Sequence, residues 1–183
     1  MPNTHAVVNL MHCAAWDVDA YNIAGISETN VDNGTLMSVG NITTSTQTAT
    51  GRVTGFQYSV SVPAANATGL WIVKTPIPGT YTGLDAHVFN DPRYFYNEAG
   101  QPISLAYLVP GVDVIEVTGA AFAAGSTPTD QPTYTFASVN ASGKLVIAQA
   151  APAQGTYFAL LGTHHIDCGQ ELVTSYVLKC MRN

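Results

Sequence analysis

Arg52-Val53-Thr54-Gly55-Phe56-Gln57-Tyr58-Ser59-Val60-Ser61-Val62 decides the fold class. Side chains of an extended chain alternate between two faces, so Phe56, Tyr58, Val60 and Val62 share one side while Gln57, Ser59 and Ser61 share the other. One side is apolar and the other wet, the mark of a half-buried strand. Working outward, β-branched and aromatic clusters recur at 36–43, 70–75, 103–109, 112–118, 133–139, 144–149, 157–163 and 172–180, separated by Gly, Pro and Asn. Helical periodicity is weak throughout. Nine short strands predict a mainly β protein, built as a single compact β-barrel or β-sandwich-like domain.

Between two of these runs lies Val139-Asn140-Ala141-Ser142-Gly143-Lys144, whose Asn, Ser and Gly supply turn conformations that other residues adopt only with strain, so a hairpin is expected there. Residues 1–30 read differently. They show little alternation, Trp16 and Tyr21 stand apart, and Asp17, Asp19 and Asn22 suit a loop. The reading is a largely irregular N-terminal arm over 1–30, with the β domain over 31–183. At roughly 3.3 Å per residue, twenty extended residues would reach about 65 Å, far enough to cross to a neighbouring subunit. A second irregular stretch, 76–100, carries Pro76, Pro78 and Pro92, which exclude a central strand, together with Tyr81, Phe89, Tyr94, Phe95 and Tyr96. Aromatic side chains in a loop form either a flap over the core or an exposed contact patch, the flap being the first reading. Residues 119–132, small and proline-rich, read as a surface loop.

Composition narrows the functional classes. Among 183 residues there are 6 basic and 12 acidic side chains, a net charge of -6, and charged residues make up only 10% of the chain. An average soluble protein carries about 25%. Solubility normally rests on charge, so an exterior this neutral fits a protein covered by copies of itself or by a partner. Six scattered cations cannot hold a polyanion, and direct nucleic-acid binding is not expected. No stretch is long and apolar enough to span a bilayer; 145–165 comes closest and is broken by Gln149, Pro152, Gln154 and Gly155. Met1 to Leu10 lacks the positive start and apolar core of a signal peptide, so synthesis in the cytoplasm, with reduced thiols, is expected. The sequons at Asn33, Asn41, Asn66 and Asn140 then carry no glycosylation.

Chemistry-bearing patterns are few. His164-His165-Ile166-Asp167-Cys168, with Cys180 downstream and His12-Cys13 upstream, contains zinc ligand types. On a strand, however, His164 and His165 point to opposite faces and His164 and Cys168 lie about 13 Å apart, too far to share an ion. The expectation is a loop with two exposed histidines and a half-buried thiol. Gly25-Ile26-Ser27-Glu28-Thr29 lacks the last glycine of a nucleophile elbow. Around Ser142-Gly143-Lys144, Ser138 replaces the first glycine of a phosphate loop and Leu145 its magnesium-binding hydroxyl. Asp85, Asp91 and Glu98 lie among the loop aromatics, where a sugar would stack, but their proximity in sequence is what twelve acids give by chance. The sequence therefore nominates no catalytic, cofactor-binding or metal-binding residue, and no cofactor.

Several short motifs occur in an order that resembles the capsid decoration proteins of tailed bacteriophages, also called head fibre or cement proteins. They are Asp32-Asn33-Gly34-Thr35-Leu36, Leu70-Trp71-Ile72-Val73-Lys74-Thr75-Pro76, Asn97-Glu98-Ala99-Gly100-Gln101-Pro102-Ile103-Ser104-Leu105-Ala106-Tyr107-Leu108, Ile115-Glu116-Val117-Thr118 followed by Phe122, and Tyr176-Val177-Leu178-Lys179-Cys180-Met181-Arg182-Asn183. The similarity runs from about Asp32 to Asn183. It departs where Val112 separates Gly111 from Asp113, and it does not include the arm. The resemblance implies a structural, non-enzymatic virion protein on the outer capsid surface, binding the major capsid protein, in contact with itself as a trimer or another homo-oligomer. Two other readings stand beside it: a tail or host-binding adhesin whose aromatic loop recognises a cell-surface sugar, and a metal-dependent enzyme using 164–168.

Overall fold

The computed structural model describes residues 5–10, 21–47, 52–77, 91–128, 136–168 and 171–183. Among them ten strands form: β1 (Asn22–Ser27), β2 (Leu36–Gln47), β3 (Arg52–Ser61), β4 (Trp71–Val73), β5 (Pro102–Tyr107), β6 (Val114–Thr118), β7 (Phe136–Val139), β8 (Leu145–Ala148), β9 (Tyr157–Asp167) and β10 (Leu172–Arg182). The first five close into a barrel in the order β1-β3-β2-β4-β5, and the last five make a sheet in the order β6-β10-β9-β7-β8. Neighbours are antiparallel except β1 and β3. The mainly β architecture is as the alternation predicts. The strand read as 52–62 ends at Ser61, and Val62 beyond it is 53% exposed.

Period-two alternation divides the barrel strands between two cores. Leu36 in β2, Ile72 in β4 and Ala106 in β5 point out of the barrel and pack with Ile115, Val117, Phe158 and Leu178 of the sheet. Their neighbours Met37, Val73 and Leu105 point inward and fill the barrel with Val31, Val60 and Ile103. At these positions both faces of the strands are therefore covered, which is why Trp71-Ile72-Val73 is an unbroken apolar run. Each large side chain so buried contributes about 1.5–3 kcal/mol.

The β7–β8 hairpin locks the two layers together. Asn140 Oδ1 accepts from the backbone N–H groups of Ser142 and Lys144 at 2.9 and 3.0 Å, which sets the turn. Gly143 has φ +72°, and a Cβ there would stand 2.3 Å from the Leu36 carbonyl oxygen, so only glycine lets the turn reach β2. The Leu36 N–H then donates to Gly143 O at 2.9 Å. Lys144 Nζ donates to Asp32 Oδ2 at 3.1 Å and to Ala120 O at 3.0 Å.

The irregular arm over 1–30 needs correction. Residues 22–27 are β1, paired with β3 on one side and β5 on the other, so the barrel does not close without them. Ala6, Val7 and Val8 are buried, and Val8 bridges Val117 at the free side of β6. The strand escaped detection because its central inward position is Gly25. A Cβ there would meet Leu105 Cδ1 at 2.4 Å and Val60 Cγ1 at 2.9 Å. The barrel interior has no room for the apolar side chain that would have completed the alternation. The expected surface loop after β6 is also partly packed: Ala121 and Phe122 are buried, and Tyr176 Oη donates to Pro128 O at 3.1 Å. Residues 129–132 lie outside the described residues.

Candidate functional site

Between Thr75–Pro76 on one side and Tyr94–Pro102 on the other lies an open cleft of about 450 Å³, within the roughly 300–1,000 Å³ of small-molecule sites. Its walls follow from turn chemistry. Asp91 accepts from the Arg93 N–H at 2.9 Å, capping the single 3₁₀ turn Pro92–Tyr94, and grips the Arg93 guanidinium through both carboxylate oxygens. This pairing raises the Arg93 pKa further, against the lowering effect of burial. Arg93 also meets Glu171, just before β10. The turn thereby presents Tyr94, 40% exposed, at the cleft.

Two buried asparagines hold the walls at a fixed separation. The Asn33 amide pairs with Thr75 as a strand would, donating to its carbonyl at 2.9 Å and accepting from its N–H at 3.0 Å. Asn97 exchanges both backbone hydrogen bonds with Val31, and its Nδ2 donates to Val31 O at 3.0 Å and to Asn33 Oδ1 at 3.2 Å. Gly100 N–H donates to Ser27 O at 2.8 Å, tying the Glu98–Gln101 turn to the end of β1. At the back, Tyr96 stacks on the His5 ring, with centroids 5.0 Å apart. His5 Nδ1 lies 2.8 Å from Asp32 Oδ1, the carboxylate that also receives Lys144. Because a carboxylate only accepts, this nitrogen carries the proton.

The second surface feature is the outer face of the sheet. By register with the core members Leu145, Ala137, Phe158, Leu178 and Ile115, the opposite side carries Val146, Phe136, Tyr157, Ala159, Val177 and Val114, each partly open to water. Leu161, at the β-bulge in β9, is 58% exposed. Of the charged groups on this face, Lys179 stands partly open to water between Val114 and Ala159, while Glu116 and Arg182 are withdrawn or engaged. Glu116 is fully buried, taking hydrogen bonds from Asn9 Nδ2 at 2.9 Å and Ser175 Oγ at 2.6 Å and meeting His164 Nδ1 at 3.1 Å. Arg182 lies over the Tyr157 ring at 4.8 Å and donates to Gly155 O and Pro152 O. Ser175 gives its proton to a carboxylate rather than to a histidine, so the trio is a structural pin for the 6–9 segment and not a nucleophilic triad.

The metal-type residues are dispersed. His164 and His165 are exposed as expected, but they sit on β9 and not on a loop, with His164 turned to Glu116. Cys168 is fully buried rather than half-buried, and burial raises its pKa. Cys180 lies in the core beside Leu178, and burial raises its pKa from 9.0 to about 12, so it stays a thiol. No three His, Cys, Asp or Glu side chains converge among the described residues. His12, Cys13, Tyr81, Asp85 and Phe89 lie outside those residues. Of the loop acids, Asp91 is spent on Arg93 while Glu98 lines the cleft.

Sequence reasoning missed Asn33 and Asn97 as the clamps of the cleft. Each sits in a quoted turn motif, Asp32-Asn33-Gly34 and Asn97-Glu98-Ala99-Gly100, where asparagine reads as a turn former; nothing local shows that its amide is buried against a distant strand. No helix among the described residues is long and apolar enough to cross a membrane. The chain matches no family model, no curated protein and no solved structure.

Proposed function

We propose that this chain is a structural virion protein that decorates the outside of a bacteriophage head, binds the major capsid protein and stabilises the mature shell. The observation that carries the reading is the charge-poor outer sheet face, formed mostly by partly open apolar side chains around Lys179, in a chain with only 10% charged residues. Interfaces are depleted in charge at their centres and enriched in aromatic and apolar groups. A protein that binds only the assembled lattice stabilises it by mass action, and symmetry-related repeats of a modest contact give collective strength. Self-association into a trimer or other homo-oligomer over the same lattice belongs to this reading. Binding is expected to leave heads more resistant to heat and to internal DNA pressure.

Leu161→Asp and Val146→Glu test the face without touching either core. Both variants should fold as the wild type does, and co-sedimentation with heads should fall by at least about tenfold, as a charge desolvated in an interface demands. Undiminished binding by both, or a cryo-EM map of the particle lacking the protein on the head exterior, would overturn the proposal. A tail or host-binding adhesin is the second reading, and the aromatic cleft is the observation that favours it. Antibody labelling at tail tips rather than head faces distinguishes the two.

A further inference from the structure

We infer that the cleft between Thr75 and Gln101 is a binding site for a neutral pyranose sugar. The inference deepens the adhesin reading by naming the ligand class, and it holds equally for a protein on the head. The consecutive aromatic residues Tyr94, Phe95 and Tyr96 line one opening, beside Pro76 and Pro102, with Tyr94 the most exposed of the three. Ring faces carry partial negative charge and pack against the polarised C–H face of a pyranose. Beside them stand Glu98, an acceptor for hydroxyls, and Gln101, both donor and acceptor, and both are exposed. An apolar platform flanked by a few convergent hydrogen-bonding groups matches a sugar, which has one apolar face and a polar rim.

Charge selects among ligands. Glu98 is the single charged side chain among the described lining residues; of the two cations adjoining them in sequence, Arg93 is held by Asp91 and Glu171, and Lys74 is buried. The site therefore disfavours phosphates and acidic sugars. A quaternary ammonium ion would need ring faces closed around it, whereas this cleft is open and Tyr96 already stacks on His5. The walls are preorganised, because Asn33 and Asn97 tie Thr75, Val31 and the 97–101 turn to one another before any ligand arrives. Less ordering is then lost on binding.

The test titrates the full-length protein with the methyl glycosides of glucose, galactose, mannose and N-acetylglucosamine and with maltotriose and chitotriose, followed by calorimetry and NMR. Choline and glucose 6-phosphate serve as competing probes. At least one neutral glycoside should saturate, Tyr94→Ala should weaken it by roughly tenfold, and Glu98→Gln should weaken it by about fivefold. Both positions are exposed, so circular dichroism and Tm should match the wild type. The inference is overturned if no neutral sugar saturates, if Tyr94→Ala binds as tightly as the wild type, or if choline or glucose 6-phosphate binds in preference. Such failure leaves the capsid reading standing, since that is decided by location on the particle.

Discussion

The two cores of this molecule are built on opposite principles. The interlayer core, where barrel meets sheet, is filled by large side chains from nearly every strand, with Phe158, Leu36, Ile72, Leu145 and Leu178 fully buried. The barrel interior is narrower: six buried apolar residues fill it, and β1 must present Gly25 to Leu105 and Val60 for the strands to close. The first core is limited by how much volume its residues supply, and the second by how little space it has. The interlayer core should therefore suffer from truncation and the barrel from enlargement.

Among single substitutions, the largest expected effect comes from truncation in the interlayer core. Phe158→Ala should cost about 3–5 kcal/mol, read from chemical denaturation, because a rigid junction of two layers collapses little around the cavity. A loss under 1 kcal/mol would mean that the layers slide together and that the contrast is false. Deletion of residues 1–30 should abolish cooperative folding, since it removes β1 and the 6–8 segment; a folded remnant by NMR would restore the arm as a separable element. For enlargement, Gly25→Ala should cost about 1–3 kcal/mol, and Leu105→Val in the same chain should recover part of it by withdrawing the methyl that the new Cβ meets. Failure of that rescue would place the strain in the backbone of β1 instead.

Smaller effects sharpen the picture. Asn33→Ala leaves Thr75 without its amide partner and should cost about 1–3 kcal/mol, while weakening sugar binding through loss of wall geometry. The core thiol gives a pH signature. Burial holds Cys180 protonated up to about 12, against 9.0 in the unfolded chain, so between these values the unfolded state binds fewer protons than the folded one. Stability should accordingly fall above pH 9 by up to about 1.4 kcal/mol per pH unit. Burial raises Cys168 and Tyr176 as well, and each adds to the same alkaline slope. Cys180→Ala should flatten the slope in pH-dependent denaturation; an unchanged slope would assign it to the other two.

Legibility tracked locality. The 139–144 hairpin was readable because Asn140, Ser142 and Gly143 specify it among themselves. β1 was unreadable because its partners lie near Tyr58 and Ile103 and because the position that would have declared it apolar is a glycine. Glu116 shows the same limit: alternation places it opposite Ile115 and Val117, on a wet face, yet Asn9, Ser175 and His164 close over it. For the cleft, Tyr94, Phe95, Tyr96 and Glu98 were visible as a group, whereas the clamp of Asn33 and Asn97 was not.

Alternation, turn residues and charge count alone determined that this chain is a β protein with a neutral exterior, because those properties act between neighbours in sequence or sum over residues. Tertiary structure alone decided that the strands divide into a barrel and a sheet, that residues 22–27 close the barrel, and that two asparagine amides hold an aromatic cleft open. Those outcomes depend on steric fit and hydrogen bonds between segments tens of residues apart, and such fit exists only once the chain has folded.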